Sequence, residues 1–350
     1  MLFFITGASG FIGGAIVDRL RREGRRVVAL VRSEEDIPAL EAKGVECKLG
    51  DLSSPRALAE AIGMASRVIH AAGIADERAP LDVHGWVNVA GTENLLRAAH
   101  HQGVRRFVFV SSADATLRGE PRRGQGENRD LAVQPLGRLG RTKKEAEEFV
   151  ATNFGREIET VILRPGIVWG AGDRHFLPRI ARAAMEKRLR YIGDGKNFIA
   201  TTHVENVVEG AIKGAMREEA PFGLYYLPDP EMMTQEGFLT MLTRALGLEP
   251  PRKGWPLRFH RLLAPLGREI GGFHHIEALR LGLSTSFDGA NARSGLHYIG
   301  TVFTEEGARG IESWVRELGG LDGLLALERP IPSLASIENQ KTLAFSEEFT

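Results

Sequence analysis

The feature that most limits what this chain can fold into lies at its start. The apolar run "LFFIT" passes into "GASG" and at once into "GFIGGAIVDRLRREG", whose apolar residues recur at helical spacing until Gly24. A strand that turns on glycines into a helix opens a βαβ unit, and the pattern then repeats. "RVVALVR", "VECKLGDL", "SRVIHAAG", "RRFVFVSS" and "IETVILRPGIVWG" read as further strands. Between them "SPRALAEAI", with Ser53 or Ser54 as N-cap and Pro55 in the first turn, "VNVAGTENLLRAAHHQG" and "TKKEAEEFVATNFG" read as helices. Strand and helix in alternation predict a parallel sheet covered on both faces. Right-handed crossovers make that sheet doubly wound.

The glycine turn carries chemistry as well as geometry. "TGASGFIGG" places Gly7, Gly10 and Gly13 between the first strand and its helix. Gly7 permits the tight turn, Gly10 lets the backbone approach a pyrophosphate, and Gly13 lets the helix pack closely. The helix N-terminus then offers free amides from Ser9, Phe11 and Ile12 to the anion. The fold class expected is therefore α/β, a Rossmann-type doubly wound parallel sheet that binds a dinucleotide. NAD sites usually end the second strand on a carboxylate that holds the ribose 2′-hydroxyl. Here Val31 occupies that place and Arg32 and Ser33 follow. A guanidinium suits a 2′-phosphate, so NADP(H) is favoured. NAD(H) stays possible if Glu34 or Glu35 takes the ribose. Asp51, after the third strand, is placed to accept from the adenine amino group, with Leu52 against the ring.

Beyond Gly170 the pattern loosens. Residues 1–170 are expected to form the dinucleotide domain, with 198–228 returning to it. Residues 171–197 and 229–328 are expected to form a smaller C-terminal substrate lobe, and 329–350 a tail. "GAGDRHFLPRIARAAMEKRL" reads as a helix, and "YIGDGKNFIATTHVENVVEGAIKGAM" as a hairpin, a strand and a helix. In the lobe Trp255, Leu257, Phe259, Leu262, Leu263 and Phe273 either wall an apolar pocket or belong to the core. Forty-five basic residues balance 45 acidic ones among 350, so no global field draws nucleic acid or an anionic membrane. One cysteine, Cys47, excludes an intramolecular disulfide and a cysteine-cluster metal site, and fits a reducing compartment. No metal is expected. The apolar start is too short for a signal peptide, and no run reaches the roughly 18–20 apolar residues a bilayer needs. The expectation is a cytoplasmic protein without an integral membrane segment.

Read together, these landmarks resemble the extended short-chain dehydrogenase/reductase family. They are "TGASGFIGG", "GDL", "VIHAAG", "NVAGTENLL", "FVFVSS", "LRPGIVWGAGD", "IGDGKN" and "HVENVVEG", with "SFDGANARSGLHYIG" and "TEEGARGIESW" near the end. The "VWGAGD" block and the C-terminal pattern are closer to the 3β-hydroxysteroid dehydrogenase and dihydroflavonol reductase branch than to the sugar-nucleotide epimerases and dehydratases. In that family a hydride passes between nicotinamide and a carbon bearing a hydroxyl or ketone. A serine orients the oxygen, a tyrosine exchanges its proton, and a lysine lowers the tyrosine pKa and holds the ribose. The resemblance implies Ser112 as the serine, Lys143 as the lysine and Asn88 as the helix asparagine that steadies the site. It also implies that Ala71, Ala72 and Gly73, and Pro165, Gly166 and Val168, lie along the cofactor. Dimerisation through helices 85–101 and 140–154 would follow, giving a homodimer.

The tyrosine is missing. The family pattern Y-x-x-[ST]-K-x-x-[AG]-E meets L-G-R-T-K-K-E-A-E here, so Thr142, Lys143, Ala146 and Glu147 fit and Leu139 stands in the tyrosine place. Leucine neither gives nor takes a proton. General acid–base catalysis is worth about 10²–10⁴-fold, so its loss does not by itself abolish turnover. Asp114 is the first candidate for a substituted donor, with His84 and His175 behind it; each is otherwise a solvated, capping or packed residue. Three functions stay open. One is an NADP(H)-linked oxidoreductase of a small hydrophobic hydroxy or keto compound, with a substituted donor. The second is a cofactor-binding sensor, scaffold or assembly subunit without the redox chemistry. The third is an epimerase, dehydratase or isomerase in the same pocket.

Overall fold

The computed structural model describes residues 1–127, 134–254, 256–259, 272–328 and 331. The described residues form thirteen strands: β1 (Leu2–Thr6), β2 (Arg26–Val31), β3 (Glu46–Leu49), β4 (Arg67–His70), β5 (Arg106–Val110), β6 (Arg122–Gln125), β7 (Glu159–Pro165), β8 (Ile167–Trp169), β9 (Phe198–Ile199), β10 (Thr201–His203), β11 (Gly223–Leu227), β12 (Met233–Thr234) and β13 (Thr285–Phe287). Seven form one sheet in the order β11-β7-β5-β4-β1-β2-β3. Every neighbouring pair in it is parallel. The chain winds outward from β1 to β3, then returns to lay β4 on the other side of β1. That reversal opens a crevice beyond the carboxyl ends of β1 and β4, where doubly wound sheets bind ligands.

Helices cover both faces, as the alternating pattern requires. They are α1 (Phe11–Arg22), α2 (Ile37–Glu41), α3 (Pro55–Ile62), α4 (Leu81–His84), α5 (Gly91–His101), α6 (Gly137–Thr152), α7 (Phe176–Met185), α8 (Val204–Met216), α9 (Gln235–Ala245), α10 (His275–Gly282), α11 (Thr304–Glu317) and α12 (Leu321–Ala326). The period of two along β1 divides its side chains between two cores. Phe3 and Ile5 meet Ile16 and Val17 of α1 and Val207 of α8. Phe4 meets Leu58 of α3, Leu95 of α5 and Val150 of α6. Ser54 caps α3 by accepting from the Ala57 amide at 3.3 Å, with Pro55 in the first turn. A third core joins Leu177 and Ile180 of α7 to Phe238 and Leu242 of α9 and Ile311 of α11.

Three departures from the sequence expectation have physical causes. The run 158–170 is two strands, not one. Gly166 donates its N–H to the Thr202 hydroxyl at 2.8 Å, and a Cβ there would stand 2.4 Å from the Ala200 carbonyl, so the chain leaves the large sheet to pair β8 with β10. The hairpin expected around "GDG" does not form. Tyr191 donates to the Arg252 carbonyl at 3.0 Å, and β9 pairs antiparallel with β12 instead. The edge strand β11 was not foreseen. Thr285–Phe287, inside the range expected for the lobe, pairs with β6, and Ala292, Leu296 and Tyr298 enter the same core as α1 and α8. Of the aromatic and apolar lobe residues, Phe273 is buried at 1 % exposure and Phe259 exposed at 42 %. Trp255, Leu262 and Leu263 lie outside the described residues, as does the expected tail 329–350 apart from Ile331. Among the described residues no helix is long and apolar enough to cross a membrane, and no group of side chains is spaced to hold a metal.

Candidate active site

At the end of β1 the chain turns through Gly7 at φ +73°, and Gly10 donates to the Gly7 carbonyl at 2.9 Å. A Cβ on Gly7 would stand 2.7 Å from the Ala72 nitrogen, and one on Gly13 only 2.1 Å from the Gly7 carbonyl. The first contact presses the turn onto Ala71–Ala72, and the second seats α1 on the turn. Helix α1 begins with no side-chain cap and no acidic residue in its first turn. Its leading amides, around Ser9, Phe11 and Ile12, are therefore left to an anion. An uncapped N-terminus behind glycines that admit no side chain fits the pyrophosphate of a dinucleotide.

His70, closing β4, braces this turn from beneath. Its Nδ1 pairs with the Thr6 hydroxyl at 2.6 Å and its Nε2 with the Thr92 hydroxyl at 2.9 Å. The Thr6 oxygen in turn accepts from the Ala72 amide at 3.3 Å. Burial, helped by the Lys143 charge, pushes the His70 pKa down to about 3, so the ring is neutral. At the adenosine end, Arg32 is exposed just past β2, and the Ser33 hydroxyl accepts from Glu35 at 3.3 Å. One Asp51 oxygen accepts from the Ser53 amide at 2.7 Å and the Ser53 hydroxyl at 2.5 Å, and Leu52 packs where a Gly91 side chain would be. Pro165 is buried at the end of β7, and Val168 is half-buried in β8.

Three expected residues converge beyond β4 and β5. A Cβ on Gly73 would lie 3.1 Å from Asn88 Oδ1 and 3.2 Å from Lys143 Nζ. Asn88 sits on a π-helical stretch, Gly85–Ala90, between α4 and α5. Such bulges inside helices are frequent at functional sites. Its amide accepts from Ile74 N at 2.8 Å and donates to the Ile74 carbonyl at 2.9 Å and to the Thr142 hydroxyl at 3.0 Å. Lys143 donates to the Val110 carbonyl at 2.8 Å and lies 4.7 Å from the Phe109 ring centre. Burial lowers its pKa to about 8. The two serines after β5 part company. Ser111 turns inward and donates to Glu147 Oε1 at 2.5 Å. Ser112, half-buried, accepts from the Asp114 amide at 3.2 Å. One turn beyond Lys143, Glu147 grips Arg164 of β7 through both carboxylate oxygens, with Nη2–Oε2 at 2.5 Å and both side chains 1 % exposed. Leu139, where the resemblance implies a tyrosine, is buried at 6 % exposure.

Between this wall and α10 lies a cleft lined by Glu77, Asp114, Leu117, Leu136, Ile276, Glu277 and Arg280. Asp114, the first candidate donor, is ion-paired to Arg280. His84 is buried and its Nε2 meets the Asp76 carbonyl at 3.0 Å, with Nδ1 toward Asn88 at 3.3 Å. His175 is exposed at the start of α7. Glu77, which no sequence motif marks, closes the cleft: its carboxylate accepts from the Arg138 and Leu139 amides at 2.8 and 3.1 Å. It serves the N-terminus of α6, where Leu136 supplies no side-chain cap. Burial raises the Glu77 pKa, the two amides opposing it.

Residues 4–258 match the 3-beta hydroxysteroid dehydrogenase/isomerase family. The chain belongs to this family. It is thereby an extended short-chain dehydrogenase/reductase of the NAD-dependent epimerase/dehydratase type, an oxidoreductase built on a nicotinamide-dinucleotide fold. It is 33% identical over 88% of its length, and 94% of the relative's, to a 4-hydroxy-2-methyl-3-oxo-4-farnesyl-3,4-dihydroquinoline-1-oxide ketoreductase of Stigmatella aurantiaca. It is 26% identical over 89% of its length, and 85% of the relative's, to a 2-alkyl-3-oxoalkanoate reductase of Shewanella oneidensis. The solved structure of MoeE5 in complex with UDP-glucuronic acid and NAD superposes with a TM-score of 0.72 at 26% identity, covering 91% of this chain and 99% of that one. The glycine turn, Asn88 and Lys143 all lie in the sequence motifs on which the resemblance was read. Glu77 and Arg280 do not come from those motifs; they reach the cleft through tertiary contacts, across more than sixty residues of sequence in Glu77's case.

Proposed function

We propose that this protein is an NADP(H)-linked reductase of a ketone, or oxidant of the matching alcohol, on a small hydrophobic compound, using a proton donor other than tyrosine. One observation carries it: Asn88 and Lys143 meet at Gly73, and Lys143 bonds the Val110 carbonyl two residues before Ser112, at the same end of the sheet as an uncapped glycine turn. The Lys143 ammonium would hold the nicotinamide ribose, and the amides at the head of α1 the pyrophosphate. Because the Ser112 oxygen accepts from the Asp114 amide, its own O–H remains to donate to the substrate oxygen as negative charge develops there. A bound dinucleotide supplies the hydride. Reduction is favoured because the two relatives described above are named as keto-group reductases. An apolar substrate suits the Leu117, Leu136 and Ile276 wall. Arg32, exposed and without an ion pair among the described residues, supports the 2′-phosphate of NADP(H), as does Val31 in place of an acid. Association through α5 and α6, which pack side by side, would give a homodimer, and a cytoplasmic location accords with the single free cysteine.

The test is titration with NADPH and NADH, then single-turnover oxidation of bound NADPH against a panel of hydrophobic ketones and 3-oxo acids. Tighter NADPH binding and ketone-dependent oxidation, lost in Ser112→Ala with NADPH affinity kept, is the expected result. The second reading, a cofactor-bound protein without redox chemistry, is favoured by Leu139. Tight binding with no oxidation by any compound, and turnover appearing on the same panel in Leu139→Tyr, would establish it instead.

A further inference from the structure

We propose that Glu77 is the proton donor that takes the place of the tyrosine, acting on the substrate oxygen through one bridging water. This rests on the reductase function proposed above. The argument begins with how charges pair around the cleft. Asp76 is bound by Arg78 through both oxygens, Asp114 by Arg280, and Glu277 by Arg179. Each of those carboxylates is held by a guanidinium. Glu77 alone among them forms no ion pair within the described residues, and it is 3 % exposed. A buried carboxyl without a cation is the one most easily kept protonated. The Asp114 charge acts in the same sense, against the two amides and Arg280.

Its position is built, not incidental. Gly137 stands at φ +86°, and a Cβ there would lie 2.5 Å from Glu77 Oε1, so the chain has cleared a side chain away from this carboxyl. The Arg138 guanidinium binds the Glu77 carbonyl, tying the loop to the same turn of helix. Glu77 Oε1 then lies 3.1 Å from the Leu139 amide, at the residue whose side chain should have brought the phenol. A helix N-terminus needs only a local Ser, Thr, Asp or Asn as its cap. Here a glutamic acid from the loop after β4 performs that task at the edge of the substrate cleft.

In the reducing direction the carbonyl carbon gains a hydrogen with its electron pair from a reduced nicotinamide. The C=O π pair moves onto oxygen. That oxygen bonds the bridging water's proton as the water takes the Glu77 proton, leaving a carboxylate that solvent reprotonates. The donor must start protonated, so kcat should fall as pH rises through a Glu77 pKa lying above the ordinary carboxylate range.

Glu77→Gln keeps the side chain's size and one acceptor oxygen. Its kcat for ketone reduction should drop by about 10²–10⁴-fold with NADPH affinity kept, and the basic limb of the pH profile should vanish. Glu77→Gln combined with Leu139→Tyr should recover turnover, because the phenol replaces the lost donor. Infrared titration of the protein with isotope-labelled glutamate supplies a readout independent of turnover: a protonated carboxyl band that persists above the ordinary carboxylate range in the wild-type protein and is absent from Glu77→Gln. Unchanged kcat in Glu77→Gln overturns the assignment, and so does the absence of that band from the wild-type protein. Joint loss of kcat and NADPH affinity without rescue by tyrosine would reduce Glu77 to a helix cap. A wild-type protein that oxidises no NADPH with any ketone would sink the reductase function itself, a result distinct from an active wild type with an active Glu77→Gln.

Discussion

Replacing Arg164 by methionine tests how the site is held in register. Arg164 and Glu147 are each 1 % exposed, and they bind through two carboxylate oxygens and two guanidinium nitrogens. Methionine fills much of the space of the arginine stem but leaves the Glu147 carboxylate buried with the Ser111 hydroxyl as its remaining donor, at 2.5 Å. Breaking a buried pair from one side costs about 3–5 kcal/mol, most of it the stranded charge. Removing both charges in Glu147→Leu with Arg164→Met strands no ion. Tyr226 loses Arg164 at 3.3 Å but keeps Thr116 at 3.0 Å, so Ser111 is the main group left without a partner. An unsatisfied buried hydroxyl costs about 1–3 kcal/mol. The double variant should therefore be more stable than Arg164→Met alone. Urea unfolding without dinucleotide reads this as a lowered midpoint at constant m for the single variant, partly restored in the double. Glu147 lies one helical turn past Lys143, so NADPH affinity should fall in the single variant too. A loss below about 1 kcal/mol in Arg164→Met would refute the argument, as would a double variant at the sum of the singles.

Two further outcomes follow from the cofactor side. Gly13→Ala puts a Cβ 2.1 Å from the Gly7 carbonyl, so α1 must retreat from the turn and NADPH affinity should weaken by about tenfold or more, a change of roughly 1.4 kcal/mol in a fluorescence titration; undiminished affinity would show that the turn does not hold the pyrophosphate. Burial lowers the Lys143 pKa from 10.5 to about 8, so between those values the unfolded chain binds a proton the native one lacks, and the lysine's contribution to stability improves as pH rises through that window. The stability of the wild-type protein relative to Lys143→Met, measured by urea unfolding without dinucleotide, should therefore rise from pH 8 upward; a gap independent of pH would contradict it.

What the sequence made legible is what local physics encodes. The first five strands, their helices and the glycine turn follow from apolar period and glycine placement, because each is settled within a few residues. Ser112, Asn88 and Lys143 were readable as site residues only through the resemblance, and in the fold the last two lie against Gly73. The split at Gly166, the partners of β9 and β10 and the edge strand β11 were not legible, because strand pairing is decided by what lies across the sheet. The "GDG" turn signal was real as a turn, yet the strand before it found Arg252 rather than the strand after.

The Leu139 position shows the same divide at the level of chemistry. A leucine where the resemblance implies a tyrosine is visible in one line of sequence, but the donor proposed in its stead is not, because a proton donor is defined by what surrounds a carboxyl and not by its neighbours in the chain. Asp114 was the natural first candidate, two residues from Ser112, and it is the carboxylate that Arg280 occupies. Glu77 is sixty-two residues from Leu139 in sequence and 3.1 Å from its amide in space. Burial without a guanidinium acts on it toward the protonated form. Of two acids at the edge of one cleft, Asp114 thus has a guanidinium partner and Glu77 has none among the described residues, and in general it is such differences of surroundings that divide acid–base roles between carboxyls.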